Sequence, residues 1–96
     1  MVKETGQKRA VLTVLGSDKV GIVAKVTALL AKHNANILDI SQTLLEDLFS
    51  MIMLIDIEDL SLDFETLNKE LEELSKELEV QIKLQNEEVF RYMHRI

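Results

Sequence analysis

The stretch Gly16-Ser17-Asp18-Lys19-Val20-Gly21-Ile22-Val23, followed by Asn36-Ile37, decides the fold. It predicts a strand that ends in a short polar turn and leads into an amphipathic helix, from which the chain returns to a second strand. The glycines on either side of Asp18 permit unusual backbone dihedrals or a close approach to a ligand. The first amides of a helix need hydrogen-bond acceptors and carry the positive end of the helix dipole. The turn is therefore predicted to form a small pocket that favours anions.

The residues on either side of this turn extend the prediction. Residues 9–15 are an apolar run typical of a strand that is buried on both faces, and apolar residues recur at helical spacing over residues 22–33. Ser17 or Asp18 is the predicted N-cap of this helix. Asn34 is typical of the left-handed residue that ends a helix.

The second half of the chain repeats the order strand, helix, strand. Residues 36–45 alternate imperfectly and predict a half-exposed strand, residues 49–57 are apolar nearly throughout, and residues 80–85 alternate strictly. The helix between the last two strands carries five apolar residues at spacings of three and four: Phe64, Leu67, Leu71, Leu74 and Leu78. About two heptads is short for a coiled-coil seam, so core packing is the favoured interpretation.

These elements predict an α+β fold, the ferredoxin-like βαββαβ sandwich. The first and third strands are the more apolar, so the antiparallel sheet is predicted to have the order 4-1-3-2, with both helices on one face. A short C-terminal helix begins near Asn86, and its apolar residues predict that it packs on the uncovered face. Residues 9–96 are predicted to be a single domain, preceded by a disordered segment at residues 1–8.

Composition excludes several classes of function. The 96-residue chain has no cysteine, which rules out disulfides and thiolate metal sites. Residues 56–79 hold ten acidic residues and two lysines, and this concentration of negative charge argues against nucleic-acid binding. The start of the chain lacks the apolar run of a signal peptide, and no stretch is long and apolar enough to span a membrane. A cytoplasmic protein without membrane contact is expected.

The chain lacks the residues that other activities of this fold require. A metal chaperone needs a Cys-x-x-Cys, an acyl-phosphate hydrolase needs an arginine in the first loop, where only Lys19 stands, and RNA stacking needs central aromatics, for which Phe49 is the one candidate. His33 and His94 are far apart and fit no metal or nucleophile–base spacing. We therefore predict no enzyme activity, no catalytic residue, no metal and no cofactor.

The pattern that remains resembles the ACT domain, a small regulatory module that senses amino acids. The resemblance covers residues 9–85, and the chain looks like the small stand-alone bacterial ACT-domain proteins of unassigned function. The residues that match are Asp18 to Val23, Leu29, Leu30, Asn36 to Asp39, and Gln42.

The resemblance implies a ligand site at the first loop. Asp18 would contact polar groups of the ligand, and Gly21 would let the backbone amides of Ile22-Val23 approach a carboxylate. Asn36-Ile37 would reach the ligand from across a subunit interface. Val20 departs from the family pattern, in which proline commonly precedes the glycine. The same residues also have a structural interpretation, with Asp18 as a cap, Gly21 for close packing and Asn36 bonded to the turn.

Two classes of function stay open. One is a sensor that binds an amino acid or similar metabolite and reports to a regulated protein partner. The alternative is a ligand-free oligomerisation or protein-interaction module. In both cases a homodimer is expected, formed side by side through the second strand and the first helix, because residues 36–45 contain none of the lysines or prolines that block edge pairing.

Overall fold

The computed structural model describes residues 8–17 and 21–93. Of the segment predicted to be disordered, residues 1–7 lie outside these ranges, and the carbonyl of Lys8 accepts a hydrogen bond from the N–H of Ile57 at 3.0 Å. The elements in chain order are β1 (Arg9–Ser17), α1 (Ile22–Lys32), β2 (Asn36–Leu45), β3 (Leu48–Asp56), α2 (Phe64–Leu78), β4 (Gln81–Asn86) and α3 (Glu87–Met93).

The four strands form one antiparallel sheet in the order β2-β3-β1-β4, which is the predicted order 4-1-3-2 counted from the other edge. The ferredoxin-like βαββαβ fold with a C-terminal helix is therefore confirmed. The central strands β1 and β3 pair along their full length, from Arg9 opposite Asp56 to Ser17 opposite Leu48. Their apolar residues fit a central position, although Leu15, Leu48 and Ile52 on the face away from α1 and α2 remain exposed.

The core lies between the sheet and the layer formed by α1 and α2. Leu12 of β1, Met53 of β3 and Leu30 of α1 are fully buried there. In α2, Leu67 and Leu71 are buried, whereas the other three apolar residues of the helix pack at the margin of the core. Core packing is thus the correct interpretation of the α2 stripe within this chain.

Helix α1 begins later than the sequence predicts. The N-cap is Gly21, with φ of 92°, and not Ser17 or Asp18. Ser17 is the last residue of β1, and residues 18–20 lie outside the described ranges. A left-handed φ is accessible to glycine at little cost, so Gly21 sets the start of the helix. The predicted left-handed residue at the other end is confirmed, since Asn34 has φ of 64°.

Strand β2 forms an exposed edge of the sheet, as predicted. All its residues are exposed except Ile37, which is half-buried. Leu38 has no partner in the β3 register, because Ile37 pairs with Ile55 and Asp39 pairs with the next residue, Leu54. This bulge was not anticipated; it reorients the side chains of the rest of the strand by one position.

Helix α3 packs on the face of the sheet opposite to α1 and α2, against β1 and β4. The carboxylate of Glu87 accepts hydrogen bonds from Arg9 Nε at 2.9 Å and Arg9 Nη2 at 2.7 Å, and from Arg91 Nε at 3.0 Å. The predicted packing is confirmed, and its apolar part rests on Phe90, which is half-buried, whereas Val89 and Met93 remain 49% and 57% exposed. The bidentate ion pair of Arg9 and Glu87 is a further link that the sequence did not reveal.

The Glu87 ion pair predicts a pH-dependent stability. Hydrogen bonds from Arg9 lower the pKa of Glu87, although its burial acts in the opposite direction. A lowered folded-state pKa stabilises the fold above the ordinary glutamate pKa, and this contribution is lost as the pH falls through the lowered value. We expect Glu87→Gln to lower the free energy of unfolding by about 1 kcal/mol at neutral pH, and the difference from wild type to vanish as the pH falls below the lowered pKa of Glu87.

The exposed neighbour Glu88 supplies the control for this measurement. Urea unfolding of Glu88→Gln over the same pH range should show a much smaller difference from wild type, because Glu88 is exposed. Equal losses in the two variants would contradict an anchoring role for the Arg9–Glu87 pair.

Candidate functional site

The N-terminal end of α1 holds three of the residues predicted to bind a ligand. The carbonyl of Gly21 accepts the N–H of Lys25 at 2.9 Å, which fixes the first helical turn. Ile22 is buried and Val23 packs at the margin of the core, so their side chains anchor the helix. A Cβ on Gly21 would meet no described atom within 4 Å, so the positive φ, rather than lack of space, requires glycine. Asp18 lies outside the described residues.

The backbone amides of this first turn need an acceptor. The first N–H groups of a helix have no carbonyl partner within it, and Gly21 has no side chain that could cap them. The first turn also contains no acidic residue that could compensate the positive end of the helix dipole. The arrangement can therefore bind a small anion such as a carboxylate.

Asn36 and Ile37 begin β2 just beyond the other end of α1. Asn36 is exposed and pairs in register with Asp56, while Ile37 packs against the core. Asn36 and Ile37 line an open groove of about 490 Å³ between α1 and β2, together with Ala24, Thr27, Ala28, Ala31 and Ala35. The groove runs along the edge of the protein, and small side chains form most of its wall.

The structure does not bring Gly21 and Asn36 together within one chain. Asn36 lies level with Arg9 at the start of β1, because both residues pair with Asp56. Gly21 follows the opposite end of β1, eight residues along the strand. At about 3.3 Å per residue the two ends of β1 are roughly 26 Å apart. One amino acid cannot span that distance, so the described site residues lie in two separate groups, at Gly21 and at Asn36. We call these two groups the half-sites of the predicted site.

His33 has the capping role that its place at the end of a helix predicts, and it also makes a contact with α2 that the sequence did not reveal. It is the C-cap residue of α1 and is buried, and its Nε2 lies 2.7 Å from Glu70 Oε1 on α2. Its carbonyl accepts the N–H of Ser61 at 2.9 Å. The pair joins the two helices, as does the exposed pair of Lys25 and Glu77 at 3.2 Å. No periodicity could have identified the contact, because His33 and Glu70 are 37 residues apart.

The described residues contain neither a metal-binding cluster nor a helix that could span a membrane. Over residues 8–17 and 21–93, no three His, Cys, Asp or Glu side chains come close enough to hold a metal ion. Within the same ranges, none of the helices combines the length and the hydropathy needed to cross a membrane.

The comparison with known proteins identifies the fold as that of a known family. The family model for the ACT domain matches residues 8–85, which include every predicted site residue, β1 to β3, and all of β4 except its last residue. The chain belongs to the ACT domain family. The resemblance inferred over residues 9–85 is thereby confirmed, and ACT domains are in general regulatory modules that bind ligands.

Proteins similar to this ACT domain have about the same chain length. It is 56% identical to a UPF0237 protein of Methanococcus maripaludis over 93% of this chain and 99% of that protein. It is also similar to an ACT domain protein from Streptococcus pneumoniae, with a TM-score of 0.75, 40% identity, and coverage of 86% of this chain and 93% of the other. Neither name specifies a ligand.

A larger enzyme contains a similar unit. The ACT domain superimposes on a formyltetrahydrofolate deformylase from Pseudomonas syringae with a TM-score of 0.78 and 26% identity. The match covers 85% of this chain but 28% of the deformylase. The similarity therefore concerns a part of that enzyme about the size of this domain.

Proposed function

We propose that this ACT domain is a non-catalytic regulatory module that binds an amino acid or similar small metabolite between two copies of the chain. The observation that carries the proposal is the position of the two half-sites. The helix amides at Gly21 and the side chain of Asn36 lie at opposite ends of the sheet, and a symmetric pairing of two copies can unite them.

The pairing uses the exposed edge of β2. This strand has ten residues and no lysine or proline, whereas the other edge strand, β4, has six residues and carries Lys83. Long, unblocked edges are the ones that pair with another chain. When two β2 strands pair antiparallel about a two-fold axis, Asn36 of one copy lies beside Leu45 of the other. Leu45 is level with Leu48 and Ser17, at the end of the sheet that leads to Gly21.

The surfaces beside β2 fit this arrangement. On its helix side, Ile40 and Leu44 are exposed beyond the reach of α1 in the same chain. The neighbouring face of α1 presents Ala24, Ala28 and Ala31, which are also exposed. Small side chains allow two helices to approach closely, so the α1 helices of two copies could cover the apolar residues of both β2 strands.

The chemistry of the joined half-sites matches an α-amino acid. The amides of Ile22 and Val23 would bind the α-carboxylate at the helix N-terminus. Asp18 would pair with the α-ammonium group, because a carboxylate is the natural partner of a cation. Asn36 from the second copy would donate one hydrogen bond and accept another through its amide. A bound ligand would then stabilise the dimer and change the surface seen by a regulated protein partner.

Calorimetric titration with individual amino acids tests this site. Wild type is expected to bind at least one of them, and Asn36→Ala is expected to weaken the dissociation constant about tenfold, which corresponds to about 1.4 kcal/mol. Asn68→Ala on α2 is the matched control and should bind as wild type does. Binding that Asn36→Ala leaves unchanged would exclude this site, and the absence of heat from every amino acid would exclude the amino-acid ligand.

The second candidate is a ligand-free assembly or protein-interaction module. It is favoured by the same exposed residues of β2, since Ile40 and Leu44 would support pairing without any ligand. A protein that forms the β2 dimer but gives no heat with any amino acid would support this candidate over the sensor.

A further inference from the structure

Among the residues that the structure describes, His33 is the one polar or charged residue that is buried. Its ring contacts α2, where Nε2 lies 2.7 Å from Glu70 Oε1. A carboxylate accepts hydrogen bonds and does not donate them, so Nε2 is the donor. Because a buried polar side chain is costly unless it is paired, the bond to Glu70 holds the ring in this position.

Hydrogen bonds also hold the backbone around His33. Its carbonyl accepts the N–H of Ser61 at 2.9 Å, and Ala35, two residues further along, donates its N–H to the carbonyl of Leu30 at 2.9 Å. Ala35 is itself buried. His33 therefore joins the end of α1 to α2 through its ring, and to the segment between β3 and α2 through its carbonyl.

The Asn36 half-site begins directly after His33. We call residues 33–36 the α1–β2 turn. The turn forms one wall of a depression of about 550 Å³, and Asp59 lies on the other wall. Asp59 is two residues before Ser61, whose N–H is bonded to His33, so both walls are attached to His33. The residues that line the depression are Ala31, Asn34, Ala35, Asn36 and Asp59.

We propose that His33 is a positioning residue for the Asn36 half-site and that Glu70 holds His33 in place from α2. The inference deepens the proposed function and rests on it, since it concerns the same half-site. The bond between ring and carboxylate fixes the α1–β2 turn relative to α2, and the turn sets the direction of the Asn36 side chain. Loss of the bond opens the turn locally and leaves the core intact.

A second contact between the same two helices supplies the control. Lys25 Nζ lies 3.2 Å from Glu77 Oε2, near the start of α1. These two side chains are 54% and 61% exposed, whereas those of His33 and Glu70 are 11% and 34% exposed. Exposed ion pairs contribute little, because water and salt screen them. Both glutamates join α2 to α1, but Glu70 is bonded to the turn and Glu77 to the opposite end of the helix.

Amide hydrogen exchange of the unliganded protein, followed by NMR, tests the positioning. Glu70→Ala removes the acceptor and should raise the exchange rates of the Ser61 and Ala35 N–H groups about tenfold. Glu70→Gln keeps a side-chain oxygen that can accept from Nε2, so its rates should return to within about threefold of wild type. Glu77→Ala should match wild type. The N–H of Met53 in the core should keep its rate in every variant, since the opening is local.

The same spectra report on the half-site itself. The side-chain amide signal of Asn36 should shift in Glu70→Ala and keep its wild-type position in Glu70→Gln and Glu77→Ala. Equal exchange rates in Glu70→Ala and Glu77→Ala would overturn the proposal. So would a Glu70→Gln variant that exchanges as fast as Glu70→Ala, or an Asn36 signal that no variant moves.

Calorimetry with the individual amino acids measures the consequence for binding. Glu70→Ala should weaken the dissociation constant about fivefold to tenfold, and Glu70→Gln and Glu77→Ala should bind as wild type does. Wild-type affinity in Glu70→Ala would contradict a role of His33 at the ligand site. If wild type gives no heat with any amino acid, the proposed ligand is excluded, and the exchange rates and the Asn36 signal still decide whether His33 and Glu70 position the turn.

Discussion

Replacement of Ile40 by lysine is expected to abolish pairing through β2 and, with it, the binding of an amino acid. Ile40 is exposed near the middle of β2, so a two-fold axis that pairs residues 36–45 with their copies passes close to it. The new lysine would lie near its own symmetry mate. Like charges placed together in an interface cost several kcal/mol, so the dimer dissociation constant should rise about a hundredfold or more.

Two measurements on the Ile40→Lys variant test β2 pairing and ligand binding separately. Analytical ultracentrifugation reports the loss of the β2 dimer, and calorimetry reports the loss of ligand binding, with Ser61→Lys as the control in both. A variant that still pairs through β2 would contradict the predicted interface. A monomeric variant that binds the ligand with the wild-type dissociation constant would show that one chain holds the whole site.

The order of the strands could be predicted from the sequence because the apolar pattern of each strand indicates how far that strand is buried. Residues 9–15 and 49–57 are apolar at successive positions, which suits a strand covered on both faces. In contrast, β4 alternates and has one polar face, which suits an edge. Each assignment depends on a short segment, so no long-range information was needed.

The contacts that fix α3 and the helix layer could not be predicted in the same way. Arg9 and Glu87 are 78 residues apart, and the match of their charges is visible only after the strands are paired. The predicted N-cap of α1 was wrong for a different reason. Ser17, Asp18 and Gly21 are all acceptable near a helix start, and the left-handed backbone at Gly21 decides between them.

The described residues of the predicted site lie near the two ends of α1, and a single chain does not bring them into one pocket. The spacing between Gly21 and Asn36 equals one helix plus a turn, and a helix of 11 residues carries the chain about 16 Å away. Sequence proximity therefore concealed the distance between the two groups of residues. The contact across subunits that the resemblance to the ACT domain implies stays a prediction.

Leu67→Ala and Leu71→Ala in α2 are expected to have the largest effects on stability. Both leucines are essentially unexposed, at 0% and 1% of their surface, and both contact the main core. Removal of a buried leucine side chain leaves a cavity and costs about 2–5 kcal/mol. Since small domains unfold with a total free energy of about 5–15 kcal/mol, either substitution should remove a large part of the stability.

The matched control is Leu74→Ala in the same helix stripe. Leu74 is half-buried at the margin of the core, so less surface is removed from water and the expected loss is about half as large. Urea unfolding at one fixed protein concentration measures all three variants. If the five apolar residues of α2 formed a coiled-coil seam, Leu74 would contact a partner helix. Leu74→Ala would then lower the free energy of unfolding as much as Leu67→Ala. Unequal losses would instead follow the burial within one chain, since only the inner leucines face the sheet.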